Sequence, residues 1–123
     1  MEVSVAMKTL IAPWVINQGS SFYEHYGLFD DEGNPLSLLG YSAFGEIRED
    51  YDSVSPAVSM TIESGRLNLH NGVLTVRLLP ADTKKLKADK DYVYDIELVV
   101  PGGDRFRIVE GVAMVRPEVS KEG

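Results

Sequence analysis

Asp95 and Glu97 stand two apart in residues 92–100, the spacing that puts two carboxylates on one face of a β-strand. Paired carboxyl groups are what glycoside hydrolysis requires, but on an exposed sheet face they more simply form a charged surface that discourages aggregation. Two acidic clusters, Asp30-Asp31-Glu32 and Glu49, Asp50, Asp52, offer oxygen ligands for a hard cation such as calcium. Residues 30–35 lack the alternating acids, central glycine and closing glutamate of a calcium loop, so a solvated turn is expected there. His25 and His70 have no H-x-x-H or H-E-x-x-H partner, which removes the helical zinc pattern. No serine sits in G-x-S-x-G, and Gly102-Gly103 lies between two extended runs instead of opening a helix. With no cysteine there is neither a thiol nucleophile nor a disulfide framework. The expectation is a protein with no catalytic residues, metal or cofactor.

The elements that would hold these residues follow a two-residue period. Residues 92–100 and 104–116 alternate apolar and polar around Pro101-Gly102-Gly103, the pattern of a hairpin with one face on a core. Asn71-Gly72 between alternating runs predicts a tight hairpin turn. Further strands are expected at 20–30, 41–48, 57–63 and 73–79, with one short helix within 80–90, where Pro80 suits the first turn and lysines the last. Residues 1–18 read as an arm or edge strand interrupted by Pro13, residues 19–117 as the domain, and 118–123 as a polar tail. Seven to eight short strands separated by turn signals suggest an antiparallel β-sandwich or barrel, the sandwich being preferred.

Composition narrows the function class. The 123 residues suit one domain, and 44% hydrophobic with 25% charged content matches a folded globular chain. A net charge of −7 has the wrong sign for tracking a nucleic-acid backbone. No apolar run reaches the length of a membrane span, and residues 1–15 lack the basic flank and apolar centre of an export signal.

Uninterrupted alternation places Tyr92, Tyr94, Ile96 and Leu98 inward, and likewise Phe106, Ile108, Val112 and Met114. It leaves Phe44, Val93, Val99, Val109, Ala113 and Val115 on outer rows. Together with Trp14 of the arm, Phe44, Val93, Val99, Val109 and Val115 are the candidate protein-interface residues, unless the arm covers those rows. Exposed aromatics such as Trp14, Tyr23, Tyr26 or Tyr51 would instead serve a carbohydrate-binding module by stacking on sugar rings.

The order of motifs resembles a phage family. Gly19 to Phe22 opening a strand, Gly33-Asn-Pro-Leu36, Leu39-Gly-Tyr41 and Ile47-Arg48 are similar to the N-terminal domain of tailed-bacteriophage baseplate upper proteins. The second half carries more of the likeness: Leu79-Pro-Ala-Asp-Thr83 with Leu86, Tyr92 to Leu98, Gly103, Ile108-Val-Glu-Gly111-Val and Val115 to Val119. The resemblance implies an immunoglobulin-like sandwich acting as a noncatalytic virion structural or adaptor protein of tail, baseplate or head. It implies other virion proteins and further copies of the chain as partners, and synthesis in the host bacterial cytoplasm.

Overall fold

The computed structural model describes residues 2–4, by backbone alone, and residues 9–121. Ten strands and one short helix follow in the order β1 (Glu2–Ser4), β2 (Leu10–Ile11), β3 (Trp14–Asn17), β4 (Phe22–Phe29), β5 (Ser42–Arg48), β6 (Val58–Thr61), β7 (Leu67–His70), β8 (Val73–Leu78), α1 (Pro80–Lys84), β9 (Lys90–Val99) and β10 (Arg105–Arg116). One sheet has the order β1-β4-β8-β7; the other runs β2-β10-β9-β5-β6, with β3 also along the free side of β10. The sheets pack face to face as a sandwich over a core that includes Trp14, Tyr26, Leu28, Ile47, Met60, Leu74, Leu78 and Ile96. Each fully buried aliphatic side chain there stabilises the fold by about 1.5–3 kcal/mol. Among the described residues no helix is long and apolar enough to cross a membrane.

The expected hairpins form. Asn71 and Gly72, at φ 49° and 74°, join β7 to β8 in a two-residue turn that needs positive φ at both places. β9 and β10 pair antiparallel through Pro101 to Gly103. The helix is shorter than the sequence suggested, because its last turn ends at Lys85 and the chain turns through Leu86 toward β9. Its first turn is closed by Asp82, which accepts the Leu79 N–H at 2.9 Å and binds Arg66 at 2.7 Å. Tyr92 sits at the corner that follows, its hydroxyl accepting the Lys87 N–H at 2.8 Å.

The arm is part of the sheet. β2 and β3 run parallel to β10, with Leu10 in register with Val109 and Trp14 with Ala113. Ala12 donates to the Glu110 carbonyl at 2.9 Å between them, so the ladder continues past Pro13, which lacks an N–H. This close approach explains Gly111: a Cβ there would collide with the Ala12 carbonyl.

One expected row is wrong, and the reason is a β-bulge. Arg107 pairs with Glu97, but Val109 pairs with Ile96, so Ile108 is an extra residue in β10 and the strand changes phase. Ile108 and Val109 are both buried, at 2% and 0% exposure. Beyond the bulge, Val109, Ala113 and Val115 point into the core, while Val112 and Met114, expected inside, are 44% and 47% exposed.

Candidate functional site, the outer face of the six-stranded sheet

The bulge and the arm together decide which side chains the six-stranded sheet shows to water. Of the six interface candidates, Trp14, Val109 and Val115 are at most 1% exposed and belong to the core. Trp14 stacks on Tyr94 with ring centroids 3.5 Å apart and donates from Nε1 to the Tyr26 hydroxyl at 2.8 Å. The Tyr94 hydroxyl donates to the Ala12 carbonyl, and burial pushes both phenols up from their ordinary pKa. Phe44, Val93 and Val99 do lie on the outer face of β5 and β9, half-buried among charged neighbours.

Register builds a charged band across that face. Asp95 on β9 stands opposite Glu46 on β5 and opposite Glu110 on β10, three carboxylates in one row. Arg107 Nε reaches Asp95 at 3.1 Å and its Nη1 reaches Glu110 at 3.1 Å, while Arg48 binds Glu46 at 2.8 Å. Arg105 lies 3.6 Å from Glu97 and 5.2 Å over the Phe44 ring. With Glu46, Asp95, Glu97 and Glu110 against Arg48, Arg105 and Arg107, the band is short of neutrality by one positive charge. Partial burial, aided by Glu97, Glu46 and Glu110 and opposed by Arg107, holds the Asp95 carboxyl above its ordinary range.

Beside the band runs an apolar stripe that the sequence pattern concealed. Val112 is opposite Val93, Val15 beside Met114, and Ile11 beside Glu110. Exposure rises from 44% at Val112 to 74% at Ile11. Tyr51, 81% exposed, and Val93 border a depression of about 110 Å³ lined also by Asp95, Arg48 and Arg107. That volume is below the few hundred Å³ typical of small-molecule sites.

The other residues singled out for chemistry are occupied structurally. Asp30 accepts the Glu32 and Asn34 N–H groups at 2.9 Å, and Asp50 accepts the Asp52 N–H at 2.9 Å, each closing a loop on itself. Among the described residues no group of three His, Asp or Glu side chains is placed to hold a metal ion. His25 pairs with Thr75 Oγ1 at 3.0 Å on β4, and His70 lies on β7 with β8 between them. Of the four aromatics considered for sugar stacking, Trp14 and Tyr26 are buried. Tyr23 and Tyr51 remain, one on the outer face of the four-stranded sheet and one beside the opposite face. A wider cleft of about 540 Å³ between residues 35–39 and the Asn71-Gly72 turn is lined by Leu36, Leu38, Leu39 and Leu69 among others and carries His70 as its one titratable side chain.

With this geometry in place, the comparisons address the fold. The chain is similar to one in the crystal structure of ICOS in complex with ICOS-L and an anti ICOS-L VNAR domain, at 12% identity and a TM-score of 0.52. The match covers 88% of this chain and 56% of that one, so this chain spans little more than half the length of that relative. The fold is an immunoglobulin-like β-sandwich. Murine CRIg is also matched, at 11% identity and a TM-score of 0.36, over 87% of this chain and 92% of that one. No family model and no curated protein matches the sequence. The Tyr92 corner agrees with the immunoglobulin pattern, in which a tyrosine near the start of this strand bonds back to the preceding backbone. Where many such domains carry a disulfide beneath a tryptophan, this cysteine-free chain places Trp14, Tyr26 and Tyr94.

Proposed function

We propose that this chain is a noncatalytic protein-contact module that docks through the outer face of its six-stranded sheet. The observation that carries the reading is the pairing of an ordered, nearly neutral charged band with a continuous apolar stripe on one broad face. Such a face suits a protein surface: the stripe gains from leaving water, and the ion pairs fix orientation. Its arginine-held carboxylates border a depression of about 110 Å³, below the few hundred Å³ that a small-molecule substrate fills.

The resemblance in residues 19–120 supplies the setting. On that basis the partners are neighbouring virion proteins, the place of action is the phage particle, and the role is structural or adaptor. Repetition in a symmetric particle lets each contact be individually weak. The net charge of −7 disfavours nucleic acid as an alternative partner. Mass spectrometry of purified particles tests the reading: the chain is expected at a fixed ratio to the major structural proteins, and its absence would overturn the virion assignment. A folded Val112→Asp, Met114→Asp double variant should no longer be incorporated.

A further inference from the structure

The stripe and the band share one face, and we infer that its occupant is a second copy of this chain, packed sheet to sheet. This rests on the protein-contact reading above and names the partner. Val15, Val112 and Met114 are each about half exposed and Ile11 is 74% exposed. They lie on β2, β3 and β10, and Val112 joins them to Val93 on β9. The stripe is therefore continuous across neighbouring strands and meets the charged band along β9 and β10.

Two observations select a copy of the chain over other partners. The first is charge. A strongly basic partner would be matched by a uniformly acidic face and an acidic partner by a basic one, whereas this band alternates signs and carries only one of the seven excess negative charges. Turned about a two-fold axis, such a mixed band presents arginines to carboxylates. The second is area. Spaced about 4.8 Å apart, with roughly 3.4 Å per residue, the arm (residues 10–17), β10, β9, β5 and β6 contribute eight, twelve, ten, seven and four residues, a face of roughly 670 Å². That approaches the roughly 800 Å² that each partner contributes to an interface of standard size.

Sedimentation velocity on the intact chain from about 1 to about 500 µM reads the association. A reversible dimer is expected within that range. Met114→Asp should weaken it by about 30-fold or more, since both copies lose the contact, with an unchanged circular dichroism spectrum and melting temperature. Val15→Asp, on the edge strand, carries the same comparison if Met114→Asp fails to fold. Because the chain has no cysteine, Val112→Cys alone should give a disulfide-linked dimer on oxidation, while Tyr23→Cys on the opposite sheet should not. A monomer at every concentration, or linkage through Tyr23→Cys and not Val112→Cys, would overturn the inference. Incorporation of the Val112→Asp, Met114→Asp double variant into particles decides the protein-contact reading separately.

Discussion

The two sides of the β3, β10 and β9 ladder use nearly the same residue types for opposite purposes. Inward, Trp14, Val109, Ala113, Val115 and Tyr94 close the core; outward, Val15, Val112, Met114 and Val93 lie next to each other facing water. Apolar character alone therefore does not separate core from contact surface in this molecule. What separates them is one extra residue, Ile108, and the docking of the arm.

Substitutions on the two sides make that difference measurable. Val109→Asp buries a carboxylate with no partner and should cost more than about 4 kcal/mol, removing the cooperative thermal transition. Val112→Asp, three residues on, should change stability by less than about 1 kcal/mol. Equal losses in a denaturation series would mean that the bulge does not set the faces. Next in size, Trp14→Ala should cost about 3–5 kcal/mol through the cavity beside Tyr94 and the lost hydrogen bond to the Tyr26 hydroxyl, against under about 1 kcal/mol for Val15→Ala.

Two carboxylates sharpen the contrast further because their shifts have opposite signs. Asp82 is 7% exposed and held below the ordinary range chiefly by its bond to Arg66. Its contribution is present above the unfolded carboxyl pKa of about 3.9 and is lost as the pH falls through the folded value. Asp82→Asn should cost about 1–2 kcal/mol at pH 7, and urea titrations from pH 7 down to about pH 2 should show less acid sensitivity in the variant. Asp95 is held above the ordinary range, first by burial, so its contribution is present below the unfolded pKa and lost as pH rises through the folded one. Asp95→Asn should be neutral or stabilising by up to about 0.5 kcal/mol at pH 7, the smallest effect of the set. A loss above about 1 kcal/mol would show that the Arg107 pair outweighs burial.

Much of the fold was legible in local pattern. The Asn71-Gly72 turn, the β9–β10 hairpin and the inward row Tyr92, Tyr94, Ile96, Leu98 depend on neighbours in sequence and appear where alternation puts them. The outer face was only partly legible: Phe44, Val93 and Val99 stand there, while Trp14, Val109 and Val115 do not. From Gly111 to Val115 no side chain of β10 is polar, so period-2 counting has little to hold there. A signal was nonetheless present, because the charged positions switch from odd at Arg105 and Arg107 to even at Glu110 and Arg116, which marks the phase change. Parallel pairing of the arm with β10 leaves no local trace beyond Gly111, whose missing side chain fits a backbone passing close by.

That pairing also bears on how the chain reaches its native state. Trp14 and its register partner Ala113 come from opposite ends of the sequence, so the central aromatic cluster forms only after a very long loop closes. On a ribosome the strand that receives the tryptophan emerges long after it, and the β9–β10 hairpin can form before the arm docks. Refolding should accordingly be slow for a domain of this size, with tryptophan fluorescence among the last signals to settle.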